Sequence, residues 1–150
     1  MDHKKMKLED YLQFLKEDIH STVFSTVDED GKPKSRVIDI MLVKEKKLYF
    51  LTATTKPFYD QLIERPYVSI TGLKGEESMS SISITVNGEV REIGTNYLDE
   101  IFEKNPYMND IYQTEESKHV LRVFELYKGN VSVFDLSSKP IYQAVFAINE

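Results

Sequence analysis

The segment LYFLTATTKPFYDQL, residues 48–62, contains several side chains that can bind an anion. Threonine hydroxyls at Thr52, Thr54 and Thr55 and the ammonium of Lys56 stand between an apolar strand and an amphipathic helix. The first amides of a helix lack intrahelical partners and carry the positive end of its dipole. A phosphate at this helix start could accept hydrogen bonds from those amides, the hydroxyls and the lysine. The spacing therefore predicts a candidate phosphate site.

A cation on the preceding strand could complete that site. Side chains alternate along a strand, so Arg36 shares a face with Ile38 and Ile40. A guanidinium beside apolar side chains needs a fixed partner. That partner is either an anion held at the helix start or an acidic neighbour such as Asp39 or Glu45, and the sequence leaves both open.

Simpler interpretations of the same residues also stay open. Thr54 or Thr55 could act only as a helix cap, Lys56 could be a solvated surface charge, and Gln61 could face solvent. The chain has no GxxxxGK[ST] motif, so nothing in it supports hydrolysis of a nucleoside triphosphate.

Other classes of catalytic site lack the residues that they need. There is no cysteine and no GxSxG motif, and the three histidines, His3, His20 and His119, do not have metal-binding spacing. We therefore predict neither a metal site nor a catalytic side chain.

The charge and hydropathy of the chain restrict its partners and its location. A net charge of −6 argues against nucleic acid, which requires a clustered basic face. No apolar run of about 18 residues occurs, which argues against a membrane span. The N-terminus lacks the apolar core of a secretory signal. These features predict a soluble, cytoplasmic protein.

The periodicity predicts one mainly β domain over residues 1–150. KLEDYLQFLKE has helical spacing, and STVFSTV, PKSRVIDIMLV and KLYFLTA read as three successive antiparallel strands before the helix KPFYDQLIER. YVSITGL and SISITVNGEVREI read as further strands, and TNYLDEIFEKNP and MNDIYQTEE as helices. VLRVFELYKGNVSVFDL reads as a hairpin that turns at residues 128–130. Six or seven short strands with inserted helices indicate a small closed or split barrel.

The order of these segments resembles a known family. A helix, STVFSTVDEDGKPKSRV, KLYFLTATTKPFYDQL, ERPYVSI and ITVNGEVREI follow one another as in the FMN-binding split-barrel family of pyridoxamine 5′-phosphate oxidase-like proteins. The resemblance covers nearly the whole chain. The segment YKGNVSVFDLSSKP is similar to the C-terminal hairpin of the small Nim-type (nitroimidazole reductase-like) members.

The resemblance implies a fold, a cofactor and a set of binding residues. The fold would be a six-stranded antiparallel split β-barrel with peripheral helices, forming a homodimer with FMN at the subunit interface. The residues that match the cofactor-binding positions of the family are Arg36, Val37, Ile38, Thr52, Thr54, Thr55, Lys56 and Gln61.

The implied activity is FMN-dependent oxidoreduction, with NAD(P)H as reductant and a small electron-poor acceptor such as a nitro compound. A non-catalytic flavin carrier, or a binder of haem or deazaflavin F420, is the alternative on the same fold. The chain lacks the tryptophan and the late arginine–histidine signature of true pyridoxamine-phosphate oxidases. It also has Leu51 where Nim-type proteins often have histidine.

Overall fold

Helices and strands of the computed structural model, which describes residues 1–150, follow one another as a β-rich chain. Two short 3₁₀ turns, His3–Lys5 and Ser78–Ser80, accompany five helices and eight strands. The helices are α1 (Leu8–Phe14, continued by a π-helical turn at Leu15–Ile19), α2 (Pro57–Glu64), α3 (Leu98–Lys104), α4 (Met108–Ile111) and α5 (Glu115–His119). The strands are β1 (Ser21–Val27), β2 (Pro33–Asp39), β3 (Leu42–Lys44), β4 (Lys47–Ala53), β5 (Tyr67–Lys74), β6 (Ile82–Glu92), β7 (Leu121–Asp135) and β8 (Tyr142–Ile148).

All eight strands belong to one antiparallel sheet in the order β2-β1-β5-β6-β7-β4-β3, with β8 added to β7. The two edge strands, β2 and β3, are consecutive in the chain and are separated only by Ile40 and Met41. A sheet whose two edges are joined by so short a link must curl towards closure. This curl confirms the expected mainly β split barrel, with eight strands instead of six.

Two apolar clusters fill the two sides of the curled sheet. The larger cluster packs α1 and α2 against the barrel interior and contains Phe24, Phe50 and Phe124. The smaller cluster packs α3 and α4 against β4 and contains Tyr49 and Leu51. Alternation along β4 thus sends successive side chains into different clusters, and the whole strand after Lys47 is buried on both faces.

The segment PKSRVIDIMLV is two strands and not one. The Ile40 amide bonds the His20 carbonyl at 2.8 Å, whereas the Met41 amide bonds the Tyr49 carbonyl at 3.0 Å. The chain therefore exchanges its pairing partner from β1 to β4 between these two residues. The side chains of Ile40 and Met41 are both buried, so the apolar pattern of the sequence does not reveal that one strand ends and another begins here.

The predicted hairpin at residues 128–130 is wrong. Residues 121–135 form the single long strand β7, which pairs with β6 along one edge and with β4 and then β8 along the other. Gly129 stands opposite Gly88 of the paired strand β6, and a Cβ at Gly129 would lie 2.0 Å from the Asn87 carbonyl oxygen. The glycine marks a close backbone approach and not a turn.

The predicted helices near residues 98 and 115 are present, although the second predicted segment is divided into α4 and α5. Strand β8 was not predicted, although the Ser-Ser-Lys-Pro stretch at 137–140 is a turn signal in front of it. No helix has the length and apolar character needed to cross a membrane.

Candidate functional site

A cavity of about 390 Å³ lies between the edge strand β2, the end of β4 and the start of α2. We call it the α2 cavity. Its volume is within the range of small-molecule sites. It holds two cations and no carboxylate, so its potential is positive. The lining residues are Arg36, Val37, Ile38, Leu51, Thr52, Lys56, Pro57, Phe58, Gln61 and Tyr112.

Arg36 is held in a fixed position by neutral partners. Its Nη1 donates to the Thr26 hydroxyl at 2.8 Å and to the Phe24 carbonyl at 3.3 Å, and its Nη2 donates to Gln61 Oε1 at 2.9 Å. The Thr26 hydroxyl also donates to Gln61 Oε1 at 2.6 Å. The carbon of the guanidinium lies 4.4 Å from the centre of the Phe58 ring. Gln61 is therefore not a solvent-facing residue, because its carbonyl accepts from both neighbours.

Arg36 forms no ion pair within the chain. Asp39, one of the two acidic partners considered from the sequence, instead accepts hydrogen bonds from Ser21 and Tyr107, and Glu45 makes no ion pair. Burial lowers the pKa of Arg36 because a desolvated guanidinium is less stable in its charged form. A half-buried cation with only neutral partners is suited to an anionic ligand.

The start of α2 offers donors that the chain itself does not use. Lys56 is the N-cap residue in extended conformation and provides no side-chain cap, and neither does a threonine. The simple capping role considered for Thr54 or Thr55 is therefore wrong. The amide of Thr54 donates to the Val120 carbonyl at 2.8 Å, whereas the Phe58 amide has no acceptor.

Two polar side chains at this helix start are also free. The Thr52 side chain is almost fully buried at the end of β4, lines the cavity and makes no hydrogen bond within the chain. The ammonium of Lys56 is exposed and has no carboxylate within ion-pair distance. Together with Arg36 these groups form a set of donors around one space.

The backbone of β2 forms the opposite wall. As an edge strand, β2 pairs with β1 on one side only, so its second edge keeps free amides and carbonyls. Val37 and Ile38 lie on this edge and line the cavity. A planar heterocycle placed here could exchange hydrogen bonds with the strand as another strand would.

The structure brings six of the eight residues predicted from the sequence into one cavity lining. The other two, Thr54 and Thr55, lie on the adjoining turn and do not line it. Leu51, noted only as a departure from Nim-type proteins, lines the cavity directly. Sequence reasoning missed Thr26 and Tyr112. Alternation with Phe24 could have pointed to Thr26, but nothing in the sequence indicates that Tyr112 reaches the cavity.

The comparisons with known proteins agree with this architecture. The family model described as pyridoxamine 5′-phosphate oxidase matches residues 8–136. The chain belongs to this family. No match is found among functionally curated proteins.

Several solved structures share the fold. A NimC/NimA family protein from Clostridium acetobutylicum is 23% identical, with a TM-score of 0.76 over 93% of this chain and 91% of that one. A pyridoxamine 5′-phosphate oxidase-related, FMN-binding protein from Nostoc punctiforme is 15% identical, with a TM-score of 0.60 over 93% and 94%. A heme binding protein from Mycobacterium smegmatis is 12% identical, with a TM-score of 0.70 over 95% of this chain and 59% of that one. At these identities the similarity concerns the fold alone.

Proposed function

We propose that this protein binds FMN in the α2 cavity and acts as a flavin-dependent oxidoreductase. The observation that carries the proposal is the pair of cations, Arg36 and Lys56, that face one cavity without a carboxylate partner. The family to which the chain belongs and the FMN-binding protein of the same fold support flavin as the ligand.

Each group of the cavity suits one part of FMN. Arg36 and Lys56 would neutralise the phosphate, and the Thr52 hydroxyl and the Phe58 amide would donate to its oxygens. The Thr54 hydroxyl, on the adjoining turn outside the cavity lining, would be a further donor. The other two predicted residues are Thr55, which lies on the turn between β4 and α2, and Gln61, which fixes the direction of the Arg36 guanidinium. The free edge of β2 at Val37 and Ile38 would face the isoalloxazine ring.

Bound FMN would supply the redox chemistry, taking a hydride from NAD(P)H and passing two electrons to a small acceptor such as a nitro compound. The residues of the cavity bind and orient the reactants, and none of them is required to act as an acid or base. Synthesis of pyridoxal phosphate is not part of the proposal, because the signature residues of true pyridoxamine-phosphate oxidases are missing.

Three other functions compete with this one on the same fold. A flavin carrier would bind FMN but keep it oxidised in the presence of NADH or NADPH. A deazaflavin F420 binder would prefer that cofactor to FMN. A haem protein has support from the heme binding protein of the same fold. Haem iron takes histidine, cysteine, methionine or tyrosine as its ligand, and of these the cavity lining offers only Tyr112.

We also propose that two copies of the chain pair through the outer face of the sheet. Three successive cross-strand rows on this face contain no charged residue, although 29% of the chain is charged. The rows are Val37-Val23-Thr71-Thr85-Ser132-Val145, Ser35-Ser25-Ser69-Asn87-Asn130-Ala147, and Leu73-Ser83-Phe134-Gln143.

The apolar members of this face are well exposed: Val37 is 67%, Val145 69% and Leu73 62% accessible. Six strands about 4.8 Å apart make the face roughly 24 Å wide. Val37 belongs both to the first row and to the cavity lining. A second copy on this face would therefore cover the open side of the cavity, so the cofactor would lie at the interface.

Uptake of FMN tests the proposal. The protein expressed and purified in the presence of FMN should be yellow and should bind FMN at equimolar ratio. The double variant Arg36→Gln/Lys56→Gln should weaken FMN binding by about 100-fold or more, because each charge-assisted hydrogen bond contributes about 1.5–3 kcal/mol. The control Arg65→Gln/Lys5→Gln removes two exposed cations that are already paired with carboxylates and should leave FMN affinity unchanged.

A colourless protein that takes up no added FMN would exclude both the oxidoreductase and the flavin carrier. Equal FMN affinity of the double variant and the wild type would exclude the α2 cavity as the site. Anaerobic mixing with NADH or NADPH then separates enzyme from carrier, since bleaching of the flavin absorbance requires hydride transfer.

A further inference from the structure

A second and larger cavity, of about 620 Å³, lies beside the α2 cavity. We call it the α5 cavity, because it opens between α3, α5 and the first residues of β7. Its lining combines two cations, Lys118 and Arg122, with the carboxylates of Asp99 and Glu115 and the Phe102 ring. None of these residues has a role in the proposed FMN site.

Two of the four arginines of the chain form ion pairs, and the other two line the two cavities. Arg65 pairs with Glu64, and Arg91 pairs with Glu125 and Glu150. Arg36 and Arg122 form no ion pair, although the chain has 25 acidic residues. One of these two arginines lines the α2 cavity and the other lines the α5 cavity.

Arg122 is fixed in place but keeps donors free. Its Nη1 donates to the carbonyls of His119 and Leu121, each at 2.8 Å, and neither its Nη2 nor its Nε makes a bond within the chain. Arg122 lies directly opposite Thr52 in the β4–β7 ladder. Facing residues of such a pair have Cα atoms about 5 Å apart and point to the same side of the sheet. The two cavities therefore adjoin at this pair.

The remaining groups of the α5 cavity suit a sugar phosphate. Lys118 Nζ lies 4.9 Å above the centre of the Phe102 ring and 3.9 Å from a carboxylate oxygen of Glu115, so it is a second, partly neutralised cation. Asp99 and Glu115 are exposed acceptors in the same lining. Carboxylates of this kind accept hydrogen bonds from ribose hydroxyls in nucleotide sites.

We propose that the α5 cavity binds the phosphate and ribose part of a nucleotide, with Arg122 donating to a phosphate oxygen. The proposal extends the proposed function and rests on it only in assigning the nucleotide as the reductant: a nicotinamide dinucleotide held here would reach the α2 cavity past Thr52. Binding of the nucleotide itself requires no flavin.

Titration calorimetry on flavin-free protein tests the site with ADP as the probe and adenosine as the phosphate-free comparison. ADP should bind, and adenosine should bind about tenfold more weakly or worse. Arg122→Gln should weaken ADP binding by about tenfold or more, for the same reason. Arg65→Gln, which alters an arginine with a carboxylate partner, should leave ADP affinity unchanged.

NADH and NADPH are titrated in parallel. Tighter binding than that of ADP identifies a dinucleotide as the occupant, and equal binding identifies a mononucleotide.

FMN affinity, measured on the same variants, separates the two sites. Arg122→Gln should keep wild-type FMN affinity, and protein saturated with FMN should still bind ADP. The proposal is overturned by absence of ADP binding at about 5 mM, by an unaltered ADP affinity in Arg122→Gln, by displacement of ADP by FMN, or by an equal loss of FMN affinity in that variant. ADP binding in a protein that never takes up FMN would refute the proposed function and leave the nucleotide site standing.

Discussion

The position of Arg36 is unfavourable in the ligand-free protein and suited to binding an anionic ligand. Its guanidinium is half-buried, its pKa is lowered by desolvation, and its partners Thr26, Gln61 and Phe24 are all neutral. Neutral partners fix the orientation of a cation but do not compensate its charge. A phosphate would provide that compensation, so the position of Arg36 is explained by ligand binding better than by stability.

This leads to a prediction that separates binding from folding. Arg36→Met keeps an unbranched apolar side chain above Phe58 and removes the uncompensated charge. The free energy of unfolding of the flavin-free protein should stay within about 1 kcal/mol of the wild type, whereas FMN affinity should fall by about tenfold or more. Urea denaturation and a fluorescence titration with FMN measure the two quantities.

The matching variant Arg65→Met alters an exposed arginine beside Glu64 and should change neither quantity. A loss of more than about 2 kcal/mol in the flavin-free Arg36→Met protein would contradict this prediction, because it would make Arg36 a structural residue.

The residues of the α2 cavity differ in how far the sequence could predict them. Lys56 and Thr52 are close neighbours in sequence, so the local pattern of a strand end and a helix start was enough to place them together. Arg36 lies on β2, which does not pair with β4, so its place beside Thr52 and Lys56 depends on the curl that brings the two edges of the sheet together. Tyr112 reaches the cavity through the packing of the short helix α4, and no local pattern encodes that contact.

At the scale of elements, a clasp joins the N-terminal turn to the end of β7. The buried imidazole of His3 bonds the Tyr11 hydroxyl at 2.8 Å and Asp135 Oδ2 at 2.7 Å, and it stacks on the Tyr142 ring with centres 3.9 Å apart. The other carboxylate oxygen of Asp135 accepts from the amide and hydroxyl of Ser137. The clasp thus connects the N-terminal turn, α1, β7 and β8.

The clasp gives a pH-dependent prediction. Burial alone would raise the pKa of Asp135, but the hydrogen bonds from Ser137 and His3 outweigh it and lower that pKa below its usual 3.8. A carboxyl with a lowered pKa in the folded state stabilises the protein above the unfolded value and loses this effect as the pH falls through the folded one.

Asp135→Asn should therefore reduce the free energy of unfolding by about 1–3 kcal/mol near pH 7, and the difference from wild type should shrink as the pH falls towards about 3. Urea denaturation at a series of pH values measures it. Asp110→Asn, at an exposed aspartate of α4, should show no such difference. A gap between Asp135→Asn and wild type that is as large at pH 3 as at pH 7 would refute the role assigned to the carboxylate.

Strand β7 shows why one element was misread. Lys-Gly-Asn between two β-rich segments is a common turn pattern, and the local sequence cannot reveal that another strand approaches. The requirement at Gly129 comes from β6, about 40 residues earlier in the chain, through contact with the Asn87 carbonyl. Long-range register of this kind is also what divided β2 from β3.

The close approach at Gly129 gives a stability prediction. Gly129→Ala should destabilise the fold by about 3 kcal/mol or more, because its Cβ would overlap backbone that cannot move without breaking the β6–β7 ladder. Gly31→Ala lies in open space at φ +79° and should cost only the backbone strain of about 1–2 kcal/mol. Thermal and urea unfolding of both variants give the comparison, and equal losses would argue against the close approach.

At the scale of the whole molecule, the uncharged outer face of the sheet and the α2 cavity form one continuous surface. The uncharged rows could not be read from the sequence, because their members come from six strands and are aligned only by the register of the sheet. Along any one strand they look like ordinary solvent-facing threonines, serines and valines. The cavity wall at Val37 is the point at which this face and the cofactor site meet.

A single charge in the middle of this face tests the coupling between assembly and binding. Ser132 lies between Thr85 and Val145 in the first row, and its hydroxyl makes no hydrogen bond that a substitution would remove. Ser132→Lys would bury an ammonium within the interface of a symmetric pair, which is unfavourable without a carboxylate partner. Sedimentation analysis should give twice the chain mass of 17.5 kDa for the wild type and a single chain for Ser132→Lys.

FMN affinity should also fall in Ser132→Lys, because the second copy that would cover the cavity at Val37 is lost. A ligand that binds only the dimer favours the dimer, so loss of the dimer weakens its binding. Asn109→Lys adds the same charge on an exposed turn of α4 and should retain both the dimer and the FMN affinity. A wild-type protein that sediments as a single chain would refute the pairing. A Ser132→Lys protein that is monomeric yet binds FMN as tightly as the wild type would instead show that one chain holds the complete cofactor site.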